Sequence, residues 1–219
     1  MLSFNKNQPL VRLQSGLNLC VLASGKGSNL KAILNAQKSK KIKSRVALVI
    51  SNNSGSGALE LAHDNNIPAI HLSQKQFNSE KQFVGSFLSL LEKFKIDLII
   101  LAGYMKMLSP EIISRYRNRI LNIHPALLPL FGGKGMYGIN VHKAVIGSKA
   151  NQSGATVHLV DEEYDHGDIL IQKSFKLTGK ETPESLQRKV LKIEHEIYPE
   201  AIKLIEQNKM KTSGMKVKI

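Results

Sequence analysis

Leu121-Asn122-Ile123-His124-Pro125-Ala126-Leu127-Leu128-Pro129 sets an amide and an imidazole two residues apart at the end of an apolar run. From Arg119 to Ile123 the run reads as a buried strand, so Asn122 and His124 leave it on one face. Pro125 cannot continue a ladder and turns the chain. Two donors held at a strand tip are equipped to stabilise an oxyanion. The competing reading is a turn amide beside an ordinary hydrogen-bonded histidine, and an isolated N-x-H-P fits that better.

A second stretch with chemical potential is Ser24-Gly25-Lys26-Gly27-Ser28-Asn29-Leu30. It follows the apolar run 17–23 and precedes helical spacing at Leu30, Ile33 and Leu34. Strand, glycine turn and helix is a geometry in which backbone N–H groups receive a phosphate. Ser28 or Asn29 is expected to cap the helix and to donate to such an anion. The turn matches neither G-x-G-x-x-G nor a Walker loop. It also serves in α/β folds merely as a bend.

The elements that must position these residues alternate. Strands are expected at 17–23, 45–51, 69–72, 96–102 and 119–123. Helices are expected from Leu30, at 58–66, at 79–95 with Phe83, Phe87, Leu90, Leu91 and Phe94 inward, and after Ser109-Pro110. That rhythm specifies a parallel sheet with right-handed crossovers. Gly103 to Leu108 leaves the carboxyl end of the most apolar strand, where open α/β sheets bind ligands. There Met105, Met107 and Leu108 would line an apolar slot; a plain core loop fits equally well. Gly132, Gly133, Gly135 and Gly138 mark the loop 130–139 as lid-like. His142, just beyond it, is read as a surface residue. Strands at 153–160 and 169–175 flank an acidic turn, 161–168, as an antiparallel addition. Thr182 and Pro183 open a last helix to about Asn208. The fold class is therefore α/β: a Rossmann-like, mostly parallel sheet with helices on both faces and an antiparallel C-terminal strand addition. Residues 1–16 read as a flexible extension, 17–208 as one domain and 209–219 as a basic tail.

Composition narrows the function. The formal charge is +14, and nine Lys or Arg precede the first carboxylate, Glu60. Such a field draws in small anions. The lysines at 38–43 lack interleaved aromatics, so no nucleic-acid stacking platform is expected. Cys20 is the only cysteine, which suits a reducing, cytoplasmic compartment and excludes a disulfide framework. No run approaches the roughly 18 apolar residues of a membrane span. No histidine pair has metal-site spacing, and no metal is expected.

Ser24-Gly25-x-Gly27-Ser28-Asn29-Leu30, Asn122-Ile123-His124-Pro125-Ala126-Leu127-Leu128-Pro129, Ser153-Gly154-x-Thr156-Val157-His158 and the Asp165 turn occur in a familiar order and spacing. Over roughly residues 17–208 the chain closely resembles the phosphoribosylglycinamide formyltransferase family. The resemblance implies transfer of a formyl group from 10-formyltetrahydrofolate, the cosubstrate, to the amine of glycinamide ribonucleotide. By motif match it implies Asn122, His124 and Asp165 as the catalytic set. Gly27, Ser28 and Asn29 match the phosphate turn, and Glu194 matches the acid on the ribose. Met105, Lys106 and Leu108 match the loop along the folate, which the 161–165 turn helps to close over. Leu191 and Glu80 stand where relatives often carry basic contacts, each with a lysine next to it. The 130–139 loop is longer than in many relatives, so its contacts do not carry over. A monomer or homodimer without nucleic-acid or membrane partners is expected. Methionyl-tRNA formyltransferase and formyltetrahydrofolate hydrolase use the same set, but normally with an additional domain that this chain is not expected to have. A non-catalytic anion- or RNA-binding module on the same sheet gives no reason for Asn122, His124 and Asp165 to converge.

Overall fold

The apolar runs become the strands of one sheet in the computed structural model, which describes residues 16–207. Of the extension expected over 1–16, all but Gly16 lies outside the described residues, as does the tail at 209–219. In chain order the elements are β1 (Asn18–Leu22), α1 (Ser28–Lys38), β2 (Arg45–Ser51), α2 (Gly57–Asp64), β3 (Ala69–His71) and α3 (Glu80–Lys93). There follow β4 (Leu98–Leu101), α4 (Pro110–Arg115), β5 (Ile120–His124), α5 (Ile139–Gly147), β6 (Gln152–Leu159), β7 (Ile169–Lys176) and α6 (Pro183–Glu206). The sheet order is β3-β2-β1-β4-β5-β6-β7. Strands β1 to β5 pair in parallel, and β6 and β7 add antiparallel.

The pleat divides the core in two. In β1, Leu19 and Val21 join α1, α2, α5 and α6, whereas Cys20 and Leu22 join α3 and α4. In β4, Leu98 and Ile100 face the first group, Ile99 and Leu101 the second. A strand covered on both faces must be apolar throughout, which is why these runs show no alternation with polar residues. On α3 the buried residues are Val84, Phe87 and Leu91; Phe83, Leu90 and Phe94, expected inward, are only partly covered.

Three features depart from the sequence reading. The nine-residue α5 follows directly on the glycine-rich loop, where no helix is expected. Its His142 is buried on that helix at 1% exposure rather than lying at the surface, because α5 packs onto α6. The cap of α1 is Gly27, in the left-handed region, and neither Ser28 nor Asn29 closes it with a side-chain bond. The last helix does start as expected, with Thr182 Oγ1 accepting from the Ser185 amide.

Candidate active site

In the order β2-β1-β4 the chain reverses direction across the sheet between β1 and β4, and a crevice opens at their carboxyl ends. Ser24 bridges that crevice. Its amide donates to the Gly103 carbonyl at 3.0 Å, and its Oγ accepts from the Met105 amide at 2.9 Å. The same hydroxyl donates to Asn52 Oδ1. The loops after β1, β2 and β4 are thus tied through one side chain. Behind them, the Tyr198 hydroxyl of α6 lies 2.9 Å from the Leu101 carbonyl and 3.1 Å from that of Leu121. A fully buried hydroxyl left unpaired costs roughly 1–3 kcal/mol, so this contact pins the end of β4 and the body of β5 to the helix.

Asn122 and His124 emerge from β5 on one face, as their spacing requires. Across the antiparallel register Asn122 faces His158, and His124 faces Thr156. Asp165 arrives from the turn between β6 and β7, with its backbone at a φ of 55°. Its Oδ1 lies 3.4 Å from His124 Nδ1, 3.4 Å from Asn122 Nδ2 and 3.6 Å from His158 Nε2. Its Oδ2 accepts from the Gly133 amide at 2.9 Å. Burial by itself would raise the Asp165 carboxyl. Hydrogen bonding and charge from His124, the His158 contact and the Gly133 N–H outweigh it and hold the group well below the usual carboxylate range.

His158 closes the Ser153-Gly154-x-Thr156-Val157-His158 motif and is a support that the motif alone does not assign. Its Nδ1 donates to the Leu159 carbonyl at 2.7 Å, which leaves Nε2 of the neutral ring to accept from Asn122 Nδ2 at 3.1 Å. The ring thereby orients the Asn122 amide. Only the strand register brings them together, and sequence spacing carries no sign of that register. Thr156 is a second unassigned support. Its Oγ1 donates to the Ala126 carbonyl and accepts from the Leu128 amide and from Gln172, fixing the turn after β5.

Met105, Lys106 and Leu108 line a cavity of about 410 Å³ together with Asn122, His124, His158 and Asp165. Leu108 is buried, whereas Met105 and Lys106 are exposed at its mouth. The cavity also reaches Tyr104, Val160 and residues 133–138. Gly27, Ser28 and Asn29 lie at the start of α1. Gly27 has a φ of 76°, and a Cβ there would come within 2.9 Å of Ala58 Cα. Asn29 is buried, and its amide donates to Glu194 Oε2 at 2.7 Å. Burial pushes the Glu194 carboxyl above its ordinary value, against the pull of Asn29 and of the His124 charge. Asn29 Oδ1 and Ser56 Oγ are buried without a protein partner. Among the described residues no group of three His, Cys, Asp or Glu is set to hold a metal ion.

An amide and an imidazole beside a paired carboxylate, at the carboxyl edge of a parallel sheet, suit a class of α/β group-transfer enzymes that act on a polarised carbonyl. The family profile described as formyl transferase matches residues 17–202. A chloroplastic phosphoribosylglycinamide formyltransferase from Arabidopsis thaliana is 41% identical over 194 residues, 88% of this chain and 66% of that one. The enzyme of that name from Escherichia coli (strain K12) is 33% identical, over 89% of this chain and 90% of that one. The crystal structure of glycinamide ribonucleotide transformylase 1 from Symbiobacterium toebii superposes with a TM-score of 0.86 at 33% identity, over 96% and 97% of the two chains. This chain spans only 60–66% of the length of the two plant relatives. The chain belongs to the formyl transferase family, in its phosphoribosylglycinamide formyltransferase branch.

Proposed function

We propose that the protein transfers the formyl group of 10-formyltetrahydrofolate to the amine of glycinamide ribonucleotide, a step of purine biosynthesis. The observation that carries this reading is the convergence of Asn122, His124 and Asp165 within 3.4 Å contacts beside an apolar cavity. The amine nitrogen attacks the formyl carbon, and negative charge builds on oxygen. The Asn122 amide and the His124 imidazolium donate to that oxygen. Asp165 stays ionised at neutral pH, favours the charged ring and accepts a proton from the attacking nitrogen, directly or through a water. Collapse breaks the bond from carbon to the folate nitrogen, which leaves with a proton.

The pterin occupies the cavity against Met105, Lys106 and Leu108, under the Asp165 turn. Gly27 and Ser28 offer backbone amides at the uncapped start of α1 to the substrate phosphate. Glu194, held by Asn29, accepts from the ribose hydroxyls. Residues 17–208 act as one domain. All of these groups come from a single chain, so a monomer or a homodimer serves equally, and no metal, nucleic acid or membrane takes part. No helix among the described residues is long and apolar enough to cross a membrane. We place the protein in the cytoplasm; one plant relative is named chloroplastic.

The deciding experiment follows tetrahydrofolate formation spectroscopically with glycinamide ribonucleotide, methionyl-tRNA or water as acceptor. Turnover dependent on glycinamide ribonucleotide is expected. Equal turnover without it, or with tRNA alone, would refute the assignment.

A further inference from the structure

Cations that are scattered along the sequence are gathered by the fold. At the amino edge of the sheet, opposite the crevice, Lys40, Lys41, Lys43 and Arg45 lead into β2. Lys93 and Lys95 precede β4, and Arg115, Arg117 and Arg119 precede β5. All nine are exposed. Among the described residues only Arg117 has a carboxylate partner, Glu162 at 2.7 Å. The Leu17 amide donates to Ser44 Oγ, and Glu206 accepts from the Lys43 and Ser44 amides, so the described chain starts and ends at this edge too. The sequence joined on there, 1–15 and 208–219, adds six Lys or Arg and no Asp or Glu. Arg45 is fixed in place: its Nε donates to Asn18 Oδ1 at 2.8 Å, and Asn18 Nδ2 donates to the Lys95 carbonyl at 2.9 Å. Arg45, Lys93, Lys95 and Asn66 line a cleft of about 490 Å³.

Helix dipoles account for part of this charge. Lys93 and Arg115 stand in the last turns of α3 and α4, where each helix end presents roughly half a negative charge. The carboxylates of the same edge are Asp64, Glu92, Asp97 and Glu206, with Glu162 already paired. Helix ends and carboxylates together fall short of the nine cations, before the six of the joined stretches are added. Attraction of substrate does not account for the surplus. At roughly 3.3 Å per residue, β2 carries the chain about 20 Å from Arg45 to Ser51. The Debye length in physiological salt is about 8 Å, so charge in this cleft is screened from the far end of the strand. We propose that the amino edge of the sheet binds the phosphodiester backbone of a nucleic-acid duplex, without reading its bases and apart from formyl transfer.

The cations stand in a row. Strands β2, β1, β4 and β5 are neighbours in that order, and at about 4.8 Å per step the row spans about 15 Å. One strand of a duplex presents a phosphate roughly every 3.4 Å of its axis, hence about four along the row. Other partners fit less well. A protein interface is built on an apolar centre, and a membrane surface takes up apolar side chains. The exposed hydrophobics Met105, Met107, Tyr137 and Tyr164 line the catalytic cavity instead. A single strand needs open aromatic faces to stack on. Here Tyr116 is buried with the Arg119 guanidinium 4.5 Å from its ring centre, and Phe94 is half-buried beneath Lys93. Backbone contact by Lys and Arg alone is what a duplex requires.

Fluorescence anisotropy of labelled duplexes of about 20 base pairs, titrated with the full chain, tests this. Duplex RNA and duplex DNA should both bind at about 0.05 M salt, and raising it to about 0.2 M should weaken binding roughly a hundredfold, the slope of about four phosphates. Lys41→Glu combined with Lys93→Glu and Lys95→Glu should cost roughly tenfold or more at the lower salt. Lys149→Glu with Lys176→Glu and Lys180→Glu removes the same charge elsewhere and should cost less than about twofold. Both triple variants should keep the wild-type circular dichroism and turnover. If the first fails to fold, Lys93→Gln with Lys95→Gln replaces it, with a loss of roughly threefold. Equal losses in the two triples would reduce the binding to net charge and overturn the assigned edge. So would no binding at the lower salt, or tighter binding of single strands, phosphatidylserine vesicles or polyglutamate than of the duplex. None of these results touches the formyl-transfer reading, which stands or falls on its own assay.

Discussion

Asp165 is the residue on which the site converges, and its position is costly. It takes a left-handed backbone with a side chain, a placement worth of order 1–3 kcal/mol that persists only where the surroundings enforce it. Asp165→Asn keeps the shape, removes the charge opposite His124 and supplies no proton acceptor. Turnover should fall by about 10²–10³ while the dissociation constant for the folate changes little, as steady-state kinetics alongside equilibrium binding will reveal. Unchanged kcat with a raised KM would count against the assigned role. His142 gives a pH prediction at the same scale. Burial, reinforced by the His124 charge, pushes its ring down to about 4. In the unfolded chain it titrates near 6.5. Between those values the unfolded state binds the proton and the native state does not, so stability must fall as pH drops through that window. The Asp165 contribution lies lower and is lost only as pH falls below the usual carboxylate range. Urea denaturation at pH 7 and pH 5 should show a loss of roughly 2 kcal/mol attributable to His142, absent in His142→Gln.

Elements were more legible than the contacts between them. Continuous apolar runs gave β1, β2, β4 and β5 because strands covered on both faces carry no polar alternation. Thr182 and Pro183 announced α6 by cap chemistry alone. The helix α5 was obscured by the glycines in front of it, and with it the burial of His142. His158 stayed hidden because its meaning depends on a cross-strand register, Asn122 opposite His158, set by the long connection between β5 and β6. The glycine turn before α1 was legible as a turn, but Asn29 pairs with Glu194 on a helix 165 residues away, which local pattern cannot convey. The start of α1 yields a prediction. Gly27→Ala forces a Cβ into a positive φ and against Ala58 Cα. The first turn must shift, and KM for the phosphate-bearing amine should rise roughly tenfold with kcat less affected, since uniform binding is what is lost. Loss confined to kcat would contradict the placement of the phosphate there.

The whole molecule carries +14 formal charges, and both ligands of the proposed reaction are anions. A field of one sign raises encounter rates in a manner that salt removes. Raising ionic strength from about 0.05 to about 0.5 M, well past a Debye length of 10 Å, should lower kcat/KM several-fold and leave kcat nearly unchanged. A salt-independent kcat/KM would show that the charge serves something other than attraction of substrate. The Ser24 hydroxyl has a consequence at this scale as well. It is the pin between the turn proposed to face the phosphate and the loop proposed to face the folate. Ligands on either side of such a pin sit on one thermodynamic cycle, so any help the first gives the second is returned in equal measure. Ser24→Ala withdraws the pin. Calorimetry of each ligand with and without its partner should then find the synergy between them reduced toward none.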